Sequence, residues 1–425
     1  MFKNVIIIKY LKLRSVATDM RKVVVIGGGA SGLFASYAST CKGNQTILLE
    51  KNEKLGKKIY ITGKGRCNLT SSVSIEEFFN NVVSNPKFLY SAINNLSPKD
   101  TMLLFENNGL KLKIERGNRV FPLSDKASDV TKTMEKLIIS NGVDVRLNTT
   151  VNDILIEDGC VKGVNTDKGK ISCDSVIICT GGISYPLTGS TGDGYRFAME
   201  LGHSITDIKP ALVGIELVGN DFLQMQGLAL KNVELTAKHN NKSVYEDFGE
   251  LLFTHFGVSG PIVLSCSSKI NKLNVSDVEL FIDLKPALDE QTLDKRLLRE
   301  FAENNVKNLS NVMRSLLPSS LINCVMHQAR LYRDKKCCEI TAVERKNLIF
   351  AIKSLSFRVG KLRPVKEAII TSGGVNVKEI SPKTMESKLI KGLFFAGEVL
   401  DVDAFTGGFN LQLAFSTGYT AGLNS

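Results

Sequence analysis

RKVVVIGGGASGLFASYAST, residues 21–40, decides the fold. It opens on an apolar, β-branched run, Lys22–Ile26, of the kind a strand buried on both faces requires. Glycines then break the run, and residues 30–40 read as a helix. Gly27, Gly29 and Gly32 match G-x-G-x-x-G in the strand-to-helix setting that gives the motif its meaning. Gly27 makes the tight turn, Gly29 lets a pyrophosphate approach the backbone, and Gly32 lets helix pack on strand. The first helical residues, Ala30 and Ser31, then present amides and the positive end of the helix dipole to an anion. A second strand, Gln45–Leu49, stops at Glu50, 21 positions past Gly29, where a carboxylate accepts hydrogen bonds from a ribose diol. Strand, turn, helix, strand and acid together predict a bound dinucleotide, with Lys51 and Lys57 among its contacts. The alternative is a tight turn in an unrelated α/β sheet.

The first motif does not separate FAD from NAD; the C-terminus does. KGLFFAGEVLDVDAFTGGFNLQLAFSTGYTAG, residues 391–422, begins with a short buried strand that stops at Gly397 and Glu398. A glycine-rich turn at Gly407 and Gly408 follows, then a helix from about Asn410. The carboxylate at the strand end is placed for a ribityl hydroxyl. The helix start, with Asp403, Phe409 and Leu411 around it, is placed for the flavin pyrimidine edge, where negative charge appears on reduction. An NAD domain needs no such returning segment. DSVIICTGG, residues 174–182, reads as a buried strand breaking at Thr180, Gly181 and Gly182, a second pass by the cofactor. Upstream, Val151 sits where adenine can meet backbone, and downstream Gly373 lies in TSGGV. A structural, glycine-rich helix start remains the competing reading of the C-terminal segment.

ITGKGRCNLT, residues 61–70, poses a choice between a thiol nucleophile and a cofactor cradle. Disulfide reductases carry two close cysteines here, yet five positions beyond Cys67 stands Ser72. Gly63 and Gly65 allow close backbone approach, and Lys64 and Arg66 offset phosphate charge. With Asn68 the stretch reads as a cradle.

On these stretches, GGGASG (27–32), GKGRCN (63–68), CTGG (179–182), LFTHFGVSGP (252–261), TSGGV (371–375) and AGEVLDVDAFTGGFNLQLA (396–414), the chain resembles the BaiN/YhiN-like bacterial flavoproteins, which include aminoacetone oxidase-type proteins. The resemblance implies FAD in a glutathione-reductase-like α/β Rossmann domain with an inserted β-barrel-like unit and a helical subdomain, and GKGRCN lying along the FAD. It also implies either NAD(P)H-linked reduction of a conjugated C=C in a small ketosteroid or bile-acid-like substrate, or amine oxidation that releases hydrogen peroxide.

The order of patterns gives a domain plan. Residues 1–19 read as an extension ahead of Met20, and 20–207 as the first part of the FAD domain. Residues 208–287 alternate like an antiparallel β unit. Residues 288–356 carry helical spacing, as in Leu293, Leu297 and Phe301. Residues 357–425 return to the FAD domain. No second G-x-G-x-x-G follows a strand, so NAD(P)H is expected only as a transient electron donor at the flavin.

Nine cysteines without a Cys-x-x-Cys indicate neither a disulfide framework nor a zinc site. With no run of roughly 18 apolar residues, a soluble cytoplasmic protein is expected, with no membrane and no metal. The net charge of +11 raises a flavin-dependent RNA-modifying protein as an alternative of another class. Against it, the basic residues form no clustered stripe interleaved with aromatics. Of four histidines, His255 in FTHFGVSGP has the loop-like setting of an acid–base group, with a structural role the alternative. Arg358, Arg363 and Lys366 are candidate anion binders, or simply surface charges.

Overall fold

The computed structural model describes residues 20–425; the extension expected at 1–19 lies outside them. The opening stretch forms β1 (Lys22–Ile26), α1 (Ala30–Cys41) and β2 (Gln45–Leu49). With β3 (Asp144–Arg146), β4 (Ser175–Ile178) and β5 (Leu393–Phe395) they make a five-stranded sheet in the order β5-β4-β1-β2-β3, parallel throughout. Between β1 and β2 lies a crossover to one side, while β4 joins β1 from the other. The order therefore reverses at β1 and β4, and a crevice opens at their carboxyl ends, where doubly wound sheets bind ligands.

Two further helices matter for that crevice, the short α2 (Lys57–Ile61) and the C-terminal α3 (Phe409–Asn424). Close packing of α3 on α1 depends on Gly418 and Gly422. A Cβ there would stand 2.2 Å from the Ser31 carbonyl and 2.1 Å from that of Ala35. Phe34 stacks on Phe415 at 4.4 Å across the same seam, and both are fully buried. Each such ring contributes about 1.5–3 kcal/mol by leaving water. Val151 begins a small three-stranded antiparallel sheet, and Thr70–Ser71 joins a second one.

The described residues divide into two compact units, residues 20–209 with 369–425, and residues 210–368. The second holds a closed six-stranded barrel whose neighbours run Ile215–Leu217, Gly257–Ser259, Lys242–Phe253, Ala229–His239, Val278–Asp283 and Leu355–Leu362. Buried Val233, Leu235 and Ala237 alternate with more exposed neighbours, as a half-buried strand requires. The helices Glu290–Glu303, Ser319–Gln328 and Ala342–Lys353 share this unit's core through Leu293, Leu297, Leu321 and Leu348. Two expected boundaries shift. The helical stretch belongs to the same unit as the barrel, and the return to the FAD domain comes at Ile369 instead of residue 357. The reason is Leu355–Leu362, which closes the barrel by pairing Phe357 with Leu280 and buries Leu355, Phe357 and Val359 at period two. Among the described residues no helix is long and apolar enough to cross a membrane.

Candidate functional site

At the end of β1 the glycine turn does what its spacing requires. Gly27 has φ +101°, and a Cβ there would lie 2.6 Å from the Cys179 carbonyl at the end of β4. One at Gly32 would lie 1.8 Å from the Gly27 carbonyl, so only glycine lets α1 start this close to β1. At Gly29 a Cβ would meet nothing within 4 Å, which leaves the approach to this amide open. Gly29 caps α1 without a side-chain hydrogen bond, and the first turn contains no acid, so the amide donors of Ala30 and Ser31 have no internal carboxylate.

Glu50 stands beside this turn, buried to 8 % exposure. One carboxylate oxygen accepts from the Gly28 amide at 2.7 Å, the other from the Asn52 amide at 2.8 Å and the Asn52 side chain at 2.6 Å. Three donors fix its orientation and leave acceptor capacity for a diol. The Glu50 carbonyl takes the Thr149 amide at 3.0 Å, which brings Val151 to the same end of the crevice. Lys51 turns instead to Asp193 at 2.6 Å, and Lys57 to Asn52 and Glu53 at 3.3 Å each.

On the far side, at the end of β5, Glu398 forms a denser knot. Its carboxylate accepts from Lys58 at 2.7 Å, from the Thr371 amide at 2.7 Å and from the Ser184 hydroxyl at 3.0 Å. Lys58 also donates to Ser184 at 2.6 Å. Gly182 lies against this knot, and Gly397, φ +82°, against Ser31 of α1. Glu50 and Glu398 thus stand at the carboxyl ends of β2 and β5, with the β1 and β4 turns between them. Lys58, Thr371, Ser184 and Asn52 escape the sequence reading. Lys57 and Lys58 are adjacent, and only the register of α2, with Ile59 buried, decides which lysine reaches across to Glu398.

GKGRCN forms a tight, strained loop. Gly63, Lys64, Gly65 and Cys67 all have positive φ, an unusual concentration given that two of these four are not glycine. Cys67 is fully buried, and burial pushes its thiol up to about 12 against a smaller opposing hydrogen bond with Thr62. Such a thiol carries little thiolate at neutral pH, which weighs against a nucleophile. The expectation that Arg66 offsets phosphate charge needs correcting. Arg66 is forked between Glu115 and Asp125 and lies over the Phe121 ring at 4.1 Å, so two carboxylates already balance it. Asn68 keeps a buried oxygen without a hydrogen-bond partner, as does Thr180 at the β4 turn.

The helix α3 starts at Phe409 from Gly408, φ +93°, where a Cβ would press on the Thr70 carbonyl at 2.4 Å. Like α1, it has no side-chain cap and no acid in its first turn, so the amides of Asn410 and Leu411 face no internal carboxylate. Asn410 and Asp403 hold the loop before it. Asn410 bonds both backbone groups of Ala404, and the fully buried Asp403 accepts from Ser372 at 3.3 Å. Gly373, φ +87°, packs on the Asp207 carbonyl, and Gly181, φ +74°, on Ser190. His255 belongs to the other unit, exposed and edge-on to Phe256 at 5.1 Å. Arg363 is paired there with Glu216 and Glu367, while Arg358 and Lys366 are exposed. The histidine the structure does bury is His203, between Glu379 at 3.1 Å and Ser387 at 2.9 Å.

Two uncapped helix starts, two anchored carboxylates at opposite ends of the crevice, and orphaned buried oxygens on Asn68 and Thr180 fit an elongated, anionic, hydroxyl-rich cofactor. They define an FAD-binding Rossmann protein, and its class is that of the FAD-dependent oxidoreductases. The chain belongs to the family described as HI0933-like protein Rossmann domain, whose model matches residues 21–424. It is 28% identical to a 3-dehydro-bile acid delta(4,6)-reductase of Clostridium scindens, over 95% of this chain and 98% of that one. It is 29% identical to a ribosomal RNA dihydrouridine synthase of Haemophilus influenzae, over 94% and 97%. Among solved structures, a 3-ketosteroid delta1-dehydrogenase of Sterolibacterium denitrificans superposes with TM-score 0.51 at 12% identity, covering 95% of this chain and 99% of that one. At that identity the likeness speaks for the fold.

Proposed function

We propose that this protein reduces a C=C bond conjugated to a carbonyl in a small ketosteroid or bile-acid-like molecule, with NAD(P)H as the electron donor. The observation that carries the reading is the likeness, over 95% of this chain, to a 3-dehydro-bile acid delta(4,6)-reductase. Cys67, fully buried with its thiol pushed up to about 12, weighs against a thiol relay between flavin and substrate. When bound, FAD supplies hydride transfer through its N5. A hydride adds to the β-carbon and a proton to the α-carbon, and NAD(P)H returns the two electrons.

The residues of the chain set the conditions. Gly27, Gly29 and the α1 amides take the pyrophosphate, Glu50 the ribose, and Glu398, held by Lys58 and Ser184, the ribityl side. The α3 start faces the pyrimidine edge and favours the reduced, more negative flavin. His255 is the candidate proton donor. The inserted unit is an antiparallel barrel, not a second doubly wound sheet, so NAD(P)H is read as docking at the flavin itself.

Steady-state rates with NADPH varied against a conjugated ketone test this. Parallel double-reciprocal lines are expected, because the oxidised nicotinamide must leave before the acceptor enters. Intersecting lines would demand a separate nicotinamide site. Flavin that is reduced by an amine and not by NAD(P)H, with peroxide released in air, would replace the reading with an amine oxidase.

A second substrate shares this chemistry. The C5=C6 bond of uracil is also conjugated to a carbonyl, and relatives with nearly full coverage carry the name ribosomal RNA dihydrouridine synthase.

A further inference from the structure

We infer that residues 330–336, with Lys307 beside them, form a docking surface for single-stranded RNA on the inserted unit. The inference rests on the uracil reading above. Over the whole chain the cations are spread, but Arg330, Arg333, Lys335 and Lys336 fall within seven residues around Tyr332, and the fold adds Lys307. Between residues 304 and 338 stand Lys307, Arg314, Arg330, Arg333, Lys335 and Lys336 against a single acid, Asp334. Two segments from this stretch run side by side. Leu309 donates its amide to the Lys335 carbonyl at 2.8 Å, Cys337 to that of Lys307 at 3.1 Å, and Asn308 bridges to Lys336. This sets Lys307 next to Lys336 although 29 positions separate them.

The turn is held firmly at both ends. Leu331 and Cys337 are buried, at 7 % and 3 % exposure, and between them Tyr332 stands 85 % exposed. Arg330, Arg333 and Lys336 are exposed as well. Lys335 is taken by Glu344, but Lys307, Arg330, Arg333 and Lys336 make no ion pair among the described residues. Arg330 ends the helix Ser319–Gln328 at φ +58°, its amide bonded to the His327 carbonyl and that of Leu331 to Met326. Glycine is the residue this helix ending favours, so an arginine there sits in a conformation its side chain disfavours. Unpaired cations spaced along an edge, with an exposed ring between two arginines, match a phosphate backbone with a base stacked on the tyrosine. A lipid surface would call for a broad apolar face beside the charges, and between residues 304 and 338 only Val306, at 70 % exposure, projects an aliphatic side chain of any size there.

The test uses the FAD-loaded full chain and a fluorescein-labelled, uridine-containing single-stranded RNA, titrated at several salt concentrations. Wild type binds, and affinity falls with salt. In Arg333→Glu/Lys336→Glu the salt slope drops by about 1.4, at roughly 0.7 per lost phosphate contact on a single strand. Tyr332→Ala weakens binding about 5- to 150-fold, the range for one lost stacking contact. Lys242→Glu, a single charge reversal at an exposed hairpin outside residues 304–338, leaves binding within about twofold of wild type, as expected for a site that uses local contacts. Flavin content and reduction of a small conjugated ketone stay at wild-type levels in all variants, which separates this surface from the flavin reading. Dihydrouridine in the bound RNA, seen as a gain of two hydrogens by mass, scores the uracil reading on its own. Absence of RNA binding by wild type, an equal loss in Lys242→Glu, or binding to phosphatidylserine vesicles with the same losses in its place overturns the inference.

Discussion

The two units of this chain encode their folds differently. In the FAD unit, single residues are pinned by contacts with backbone: Gly32 against the Gly27 carbonyl, Gly408 against that of Thr70, Gly418 against that of Ser31. In the inserted unit the pattern is distributed, with buried residues at period two in the barrel strands and at helical spacing around them. A backbone contact tolerates no side chain, while a distributed core tolerates exchanges that keep volume. The first kind of unit is therefore written in a few fixed letters, the second in a rhythm.

The contrast breaks most visibly at Gly32. Gly32→Val should yield no yellow protein, because its Cβ would stand 1.8 Å from a carbonyl oxygen. A soluble variant with a normal flavin absorbance band would show that the turn tolerates what the geometry forbids. In the barrel, Phe253 is fully buried and meets Phe357 edge to face at 5.9 Å. Phe253→Ala should destabilise the inserted unit by about 3–5 kcal/mol. Denaturant titration followed by far-UV dichroism and by flavin fluorescence separates the two units. A shift confined to the flavin signal would contradict the assignment of Phe253 to the barrel core.

Glu50→Ala acts on the site without touching either core. Losing a charge-assisted hydrogen bond of about 1.5–3 kcal/mol should weaken FAD roughly 10- to 150-fold. Unchanged affinity of the apoprotein for FAD would remove Glu50 from the ribose. A smaller effect is expected at His203. Burial holds its imidazole below the ordinary value, against the opposing pull of Glu379. The unfolded chain then takes up the proton first, so stability should fall as pH drops below about 6.5, the ordinary histidine value. His203→Gln should flatten that part of the curve in thermal melts, and a slope identical to wild type would assign the loss to other groups. Smallest of all, Cys67→Ser should keep flavin and turnover, with alkylation of the wild-type thiol slow at pH 8. Loss of turnover with FAD retained would restore the nucleophile.

Legibility follows the same division. The sequence carries the β1–α1–β2 unit, Glu50, the turn at Gly181 and the α3 start, because each depends on local spacing. Its miss at Lys58 is a matter of helix phase, and its miss at Thr371 and Ser184 one of distance: Ser184 and Glu398 stand 214 positions apart. The charge balance of Arg66 by Glu115 and Asp125 escapes for the same reason, since motif reading sees neighbours in sequence and not partners across a small sheet. At the end of the barrel, Leu355–Leu362 alternates clearly enough, but eight residues between a helix and a proline turn do not announce which sheet they join.

The placement of β5 and α3 after the inserted unit in chain order has a consequence for biosynthesis. Neither the fifth strand nor the helix that seals α1 exists until residues 393–424 emerge from the ribosome. At about 5–20 residues per second, the stretch from β4 to β5 takes roughly 10–40 s to make. During that interval β4 has an unpaired edge and Phe34 lacks Phe415, while the inserted unit is already complete in sequence. Until Phe409–Asn424 is synthesised, the nascent chain lacks one of the two helix starts that face the crevice, so firm cofactor binding is expected to follow α3.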